Sequence, residues 1–216
     1  MSTITALEPQ QRRKGRTNVY ADGRFLIGVS DEVIIRLKLR VGQLLDEARL
    51  RDVSAAEDLQ RATDTALHFL ETRPRTQHEI EARLARDAYG EDVIARVVEK
   101  LTAMRLLNDA QFAAQWIEAK TRPTTGRPSG RRRLTTDLYR KGIDKETIEE
   151  AVSKIDDEDE LILARAALNK KIKILPTDPE ELLAEKRRLS GFLARRGFGW
   201  STISQALREV MVTEDE

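Results

Sequence analysis

Apolar residues recur at helical spacing in three stretches of the chain that have equal length. The stretches are IEARLARDAYGEDVIARVVEKL from Ile80, LTTDLYRKGIDKETIEEAVSKI from Leu134 and LSGFLARRGFGWSTISQALREV from Leu189. In register and without a gap they share their apolar positions: Ile80, Leu134 and Leu189; Leu84, Leu138 and Leu193; Ile94, Ile148 and Ile203; Val97, Ala151 and Ala206; Val98, Val152 and Leu207; Leu101, Ile155 and Val210. Such self-similarity indicates a tandem repeat.

Each stretch predicts two amphipathic helices joined by a tight turn, because its apolar residues fall at i and i+4 and then, after a break, at i, i+3, i+4 and i+7. Gly142 and Gly197 occupy the same place in that turn, where a helix end needs a left-handed residue. The first stretch has Ala88 there, so its turn is expected to differ. Asp144 and Ser201 are predicted to cap the following helices.

A further helix is predicted before each pair: one after a capping box at Ser54-Ala55-Ala56-Glu57, one at 109–120, and one at 160–174. The predicted fold is mainly α. Three tandem three-helix repeats, at 54–107, 108–158 and 159–213, form an elongated curved body.

The N-terminal region, residues 1–53, carries the one clear strand signal. Asp22-Gly23 separates two apolar runs and predicts a β-hairpin with a type I′ turn. The first dozen residues are polar and are expected to be frayed. A short helix is predicted near 31–39, ending by Gly42, and no strand is predicted after Pro74.

Composition excludes several classes of site. The 216 residues contain no cysteine and two histidines, which argues against disulfides, thiolate metal sites and histidine clusters. No apolar run approaches a membrane span, and no P-loop or nucleophile elbow is present. The chain is expected to be a soluble cytoplasmic protein that needs no cofactor or metal and is not an enzyme.

Two blocks of sequence carry a resemblance to a known family. LLNDAQFAAQWIEAKTR at 106–122 and GRRRLTTDLYRKGID at 130–144 resemble the RecX family, regulators of the RecA recombinase. RPRTQHEIEARL at 73–84 and FLARRGFGWSTISQAL at 192–207 are similar as well. The resemblance spans about 59–211 and extends to the N-terminal hairpin. The departures are Ala88, where a glycine is expected, and a long insertion, TRPTTGRPSG, at 121–130.

The resemblance implies a non-enzymatic protein built from three-helix repeats. Members bind RecA filaments on single-stranded DNA, lie along the filament groove, and suppress ATP hydrolysis, strand exchange and coprotease activity. They thereby modulate recombination, DNA repair and the SOS response. Two alternatives remain: a helical-repeat nucleic-acid-binding protein without a recombinase partner, and a protein–protein scaffold. Low aromatic content suggests a monomer.

Charge is distributed unevenly along a chain of net charge +1. From 120 to 142 there are eight basic residues against Asp137, and from 144 to 160 there are nine acidic residues against two lysines. The candidate contacts to DNA or RecA are Arg122, Arg127, Arg131, Arg132, Arg133, Arg140, Lys141, Lys186, Arg187, Arg188, Arg195 and Arg196. The alternative is a solvated face with intrachain Arg–Glu pairs.

Arg131, Arg132 and Arg133 lie in the first turn of a predicted helix, where each opposes the helix dipole by ~0.3–1 kcal/mol. The sequence therefore predicts an anion over that turn, either DNA phosphate or an acidic RecA surface. Acidic residues at 156–160 are predicted to cap the next helix. Phe112, Trp116 and Phe192 are predicted core residues, whereas Tyr89, Tyr139, Phe198 and Trp200 lie near turns.

Overall fold

The computed structural model describes residues 1–122, 127–172, 174 and 176–212, and their contacts divide into two compact units. The first unit contains residues 1–75 and 80–106, and the second contains 76–79 and the chain from 107 onward. The predicted insertion at 121–130 falls partly outside the described residues, at 123–126. No helix in the described part of the chain is long and apolar enough to cross a membrane.

A four-stranded antiparallel sheet begins the first unit. Its strands are β1 (Ser2–Pro9), β2 (Arg16–Ala21), β3 (Arg24–Ser30) and β4 (Leu44–Leu45), in the order β3-β2-β1-β4. The predicted hairpin is confirmed, since Asp22 and Gly23 take positive φ angles of 49° and 76°. The expected fraying of the first dozen residues is wrong: β1 pairs with β2 and buries Ile4 in the core beneath the sheet.

Four helices follow: α1 (Asp31–Leu37), α2 (Glu47–Glu71), α3 (Gln77–Arg86) and α4 (Glu91–Ala103). Helix α1 ends earlier than predicted because Lys38 takes the left-handed conformation, with φ 50°. The predicted capping box is also wrong. Asp46 caps α2 by accepting the Arg49 N–H at 2.7 Å, so Ser54 lies inside the helix.

Glu57, the other residue of that predicted capping box, is buried and binds the start of α1 and not that of α2. Its carboxylate accepts the N–H of Ser30, the N-cap of α1, at 2.7 Å, and pairs with Arg16 at 2.7 Å. A glutamate predicted to act as a local cap therefore links the sheet and α1 to α2.

The start of α2 is tested by replacing Asp46 with alanine. We expect the variant to lose about 1 kcal/mol of unfolding free energy, because the Arg49 N–H loses its acceptor. Ser54→Ala is the matched control, since the exposed Ser54 lies mid-helix. Urea denaturation of both variants decides between the two starts: a larger loss for Ser54→Ala would restore the predicted capping box.

The described residues of the second unit form six more helices: α5 (Asp109–Thr121), α6 (Arg131–Tyr139), α7 (Lys145–Ser153), α8 (Asp157–Asn169), α9 (Pro179–Arg195) and α10 (Trp200–Val212). Helices α5–α7 enclose one apolar core and α8–α10 another. Leu134, Leu138, Leu189 and Leu193 are fully buried in them, as the repeat register predicts. Phe112 is buried as predicted, whereas Trp116 and Phe192 are only partly buried.

Helix ends in the second unit agree only in part with the sequence. Asp144 caps α7 as predicted, accepting the Thr147 N–H at 2.8 Å, and Asp156 caps α8 by accepting the Asp159 N–H at 2.7 Å. Helix α8 therefore occupies Asp157–Asn169 and not 160–174. Ser201 is not a cap, because α10 already begins at Trp200.

The three inter-helix turns share one backbone conformation. Gly142, Gly197 and Ala88 have φ angles of 78°, 82° and 63°. The expectation that the first turn differs is wrong: Ala88 adopts the left-handed conformation that glycine adopts in the other two. No strand occurs after Pro74 among the described residues, as predicted.

Candidate anion-binding cleft

The start of α6 is pressed against the turn between α9 and α10. The N–H of Gly130 donates to the carbonyl of Arg196 at 2.9 Å, and the N–H of Arg132 donates to the carbonyl of Gly197 at 3.2 Å. A Cβ on Gly197 would lie 2.3 Å from the backbone nitrogen of Arg133. Gly197 is therefore needed both for its positive φ and for this close approach. We call this contact the α6–α9 joint.

The same contact occurs one repeat earlier, where Thr76–Glu79 meets the turn after α6. The Thr76 hydroxyl donates to the carbonyl of Lys141 at 2.7 Å, and a Cβ on Gly142 would lie 2.3 Å from the Cβ of His78. We call this contact the α3–α6 joint. In the repeat register, Arg133 takes the place of Glu79, and Arg196 takes the place of Lys141.

The two joints differ in charge. At the α3–α6 joint, the Lys141 ammonium donates to the Glu79 carboxylate at 3.2 Å, with both side chains largely buried. At the α6–α9 joint, the corresponding residues, Arg133 and Arg196, are both cations. Burial lowers the pKa of Arg196, and the charges of Arg127 and Arg133 lower it further. One joint therefore contains its own anion, while the other gathers positive charge.

An open cleft of about 340 Å³ lies at the α6–α9 joint. Five cations line it, with Asp137 as the one carboxylate among the described lining residues: Lys120, Arg127, Arg133, Arg195 and Arg196. Asp137 pairs with Arg133 at 3.2 Å. Cations lining a concave surface focus their field on the space between them, so the cleft is suited to an anion.

Contacts inside the cleft hold Arg196 in place. Its guanidinium donates to the carbonyl of Pro128 at 3.2 Å and lies 5.1 Å from the centre of the Phe192 ring. Phe192 forms a wall of the cleft. Because these contacts use only part of the five-donor guanidinium, donors remain for an oxyanion.

The anion predicted over the first turn of α6 is present, but it belongs to the same chain. The buried carboxylate of Glu160 accepts the backbone N–H of Arg131 at 2.9 Å, pairs with its guanidinium at 2.9 Å, and accepts the Thr202 hydroxyl at 3.1 Å. Asp157 contacts the same guanidinium. These hydrogen bonds, to Asp157 first and then to Glu160, raise the pKa of Arg131. At Arg131 the anion is therefore Glu160 and not phosphate or RecA, whereas an external anion at Arg132 and Arg133 stays a prediction.

The structure separates the predicted basic residues into groups. Four of them meet in the cleft: Arg127, Arg133, Arg195 and Arg196. Another four are held by carboxylates of the same chain: Arg131, Lys141, Arg122 with Glu118, and Arg188 with Glu185. The last four are exposed and lie outside the cleft lining: Arg132, Arg140, Lys186 and Arg187.

The predicted site set omitted two members of the cleft lining that matter. Lys120 lies in the last turn of α5, and its position inside the basic block from 120 to 142 was a usable signal. Phe192 was predicted to be core, and helical spacing cannot distinguish a core ring from one at a cleft wall. Tyr139, predicted to lie near a turn, is exposed and lies outside this lining.

Comparison with known proteins covers all parts of the chain. Four family models match: the regulatory protein RecX N-terminal domain at 2–46, and the RecX first, second and third three-helix domains at 62–101, 108–152 and 157–207. The regulatory protein RecX of Bacillus subtilis is 30% identical over 217 residues, covering 100% of this chain and 80% of that one. The regulatory protein RecX of Clostridium acetobutylicum is 29% identical, covering 97% and 96%.

Solved structures share the fold. A crystal structure of regulatory protein RecX superposes with a TM-score of 0.74 at 23% identity, covering 95% of this chain and 98% of the other. RecX from Lactobacillus salivarius gives a TM-score of 0.60 at 21% identity, covering 73% and 99%.

Proposed function

This chain belongs to the RecX family of regulatory proteins, and from that premise we propose that it binds RecA filaments on single-stranded DNA. Binding suppresses the filament's ATP hydrolysis, strand exchange and coprotease activity. The protein acts without catalysis of its own, by occupying the filament.

The observation that carries the proposal is the cleft at the α6–α9 joint. One of its five cations, Arg133, takes the place that the carboxylate of Glu79 has in the preceding joint. A phosphodiester supplies the missing negative charge and offers oxygens in the geometry that guanidinium groups bind best. We propose that DNA phosphate in the filament occupies this cleft.

Arg127 and Arg195 are exposed and lie on opposite sides of the joint, so they can be replaced without disturbing the core. We expect Arg127→Glu combined with Arg195→Glu to weaken inhibition of RecA-dependent ATP hydrolysis at least tenfold, because the cleft loses much of its positive charge. Arg132→Glu combined with Arg140→Glu is the matched control, with the same change of net charge outside the cleft. An equal loss in both double variants would show that bulk charge, and not the cleft, governs inhibition.

Salt dependence and RecA dependence separate the proposal from its alternative, a nucleic-acid-binding repeat protein with no recombinase partner. For single-stranded DNA, the slope of log K against log salt changes by about 0.7 for each phosphate that the protein ceases to neutralise. The cleft variant should therefore show a shallower slope than the control. If RecA adds nothing to the affinity for single-stranded DNA, the recombinase part of the proposal fails while the cleft part stands.

A further inference from the structure

A second concave surface lies on the last repeat, between α9 and α10. This groove of about 360 Å³, which we call the α9–α10 groove, has the buried side chains of Ile203 and Leu207 among its lining. Trp200 and Met211 line it too, and the Trp200 side chain is 70% exposed. An exposed tryptophan beside buried aliphatic residues is typical of a binding surface for protein.

Two cations complete the groove, Lys186 from α9 and Arg208 from α10. Both are exposed, and neither side chain pairs with a carboxylate among the residues that the structure describes. The groove thus combines an apolar centre with two cations that have no carboxylate partner in the described part of the chain.

The repeat register indicates what belongs beside Lys186. Its counterparts are Gln77 and Arg131, the first residues of α3 and α6. Each contacts a carboxylate from the first turn of the next repeat's first helix. Asp109 of α5 accepts the Gln77 N–H at 2.9 Å, and α8 contributes the carboxylates that bind Arg131. At both inner positions a first-turn carboxylate meets this residue. Lys186 lies inside α9 and not at its start, so its side-chain ammonium is the group that can meet such a carboxylate.

The last repeat also departs from the inner ones at two further groove positions. Where Trp200 lies, the middle repeat has Lys145 and the first has Glu91; where Arg208 lies, they have Ser153 and Glu99. Tryptophan and arginine are the residue types most enriched where binding energy concentrates in protein interfaces. At these two positions the last repeat therefore carries residue types that are typical of protein interfaces, and the inner repeats do not.

We propose that the α9–α10 groove docks the start of an α-helix from a partner protein. Acidic residues in that helix's first turn pair with Lys186 and Arg208, and an apolar residue of the same helix packs on Trp200 and Met211. The groove shares no residue with the cleft at the α6–α9 joint. This docking site therefore goes beyond the binding of DNA phosphate proposed above.

The chain supplies its own probe, a synthetic peptide with the sequence of residues 156–170. This is the helix start that meets Arg131, and it carries four acids in its first turn, followed by apolar residues. We expect the labelled peptide to bind the full chain saturably in fluorescence anisotropy. Lys186→Glu combined with Arg208→Glu should weaken binding at least tenfold, and Trp200→Ala about fivefold. A peptide with its first-turn acids changed to amides should lose most of its affinity.

Two controls make the result decisive. Arg187→Glu changes the charge of the neighbouring α9 residue, which lies outside the groove lining, and should leave affinity within about twofold. The Arg127→Glu, Arg195→Glu cleft variant should bind the peptide as the parent chain does. The absence of saturable binding, or an equal loss in the cleft and groove variants, would overturn the docking site without affecting the proposed role of the cleft.

Discussion

Gly197→Ala is expected to lower the free energy of unfolding by about 3 kcal/mol. Two effects combine in this estimate. A side chain in the left-handed conformation, here φ 82°, costs roughly 1–2 kcal/mol, and forcing atoms into a packed contact costs about 1–3 kcal/mol. The new Cβ would lie 2.3 Å from the backbone nitrogen of Arg133, which cannot move without shifting the start of α6. Urea denaturation of the full chain measures the loss.

The other turns provide the matched controls. Ala88→Gly makes the reverse change at an exposed residue of the first repeat, where φ is 63°, and should alter stability by less than about 1 kcal/mol. Gly142→Ala should cost about as much as Gly197→Ala, because its new Cβ would lie 2.3 Å from the Cβ of His78, which the backbone holds in place. If Gly197→Ala changes stability no more than Ala88→Gly does, then the α6–α9 joint is looser than its hydrogen bonds indicate.

Glu160→Ala is expected to destabilise the chain by about 2–3 kcal/mol, because the backbone N–H of Arg131 and the buried hydroxyl of Thr202 both lose their acceptor. Glu160 is only 2% exposed and binds the backbone and guanidinium of Arg131 together with the Thr202 hydroxyl. Its loss would uncap α6 and loosen the contact between the last two repeats at once. Thermal and urea denaturation, with circular dichroism as the readout, measure the effect.

Asp157→Ala is the control, since Asp157 contacts the same guanidinium from a side chain that is 93% exposed. An exposed ion pair contributes little, so this variant should unfold almost as the parent chain does. Equal destabilisation by both variants would mean that charge near Arg131 matters and that burial of Glu160 does not.

The repeat cores could be predicted from sequence because their signal is local. Ile80, Leu134 and Leu189 recur in register, and all three are fully buried. The first strand could not be predicted in the same way. It has only two large apolar residues, Ile4 and Leu7, and it is held by pairing with β2 and by burial of Ile4, both of which depend on partners elsewhere in the chain.

Pairings between distant residues explain the other errors. Glu57 stood three residues after a serine and resembled half of a capping box, yet its partners are Ser30 and Arg16. Arg131 belongs to a basic triplet, yet its partner Glu160 is 29 residues away. Sequence spacing shows which residues share a helix face, but it does not show which distant carboxylate pairs with them.

Most of the basic residues of the cleft could be predicted from the sequence, but their convergence on one site could not. Arg127, Arg133, Arg195 and Arg196 are each recognisable as basic residues near helix ends. Their convergence depends on the α6–α9 joint, which brings residues more than 60 positions apart into hydrogen-bond contact. The charge difference between the two joints depends on which residues meet there, Glu79 with Lys141 at one and two arginines, Arg133 and Arg196, at the other.

The two repeat joints also set how many repeats this array can have. Each joint needs a glycine turn on one side and the free start of a short helix on the other. Ala88 presents a methyl group where Gly142 and Gly197 leave room for the preceding helix, so no repeat can be added before the first in the same way. At the other end, α9 begins at Pro179, so Glu185, the counterpart of Thr76 and Gly130, lies inside a helix and not at its start. Growth by duplication is blocked at both ends, and lengthening the array by design would require a glycine at position 88 or a shortened α9.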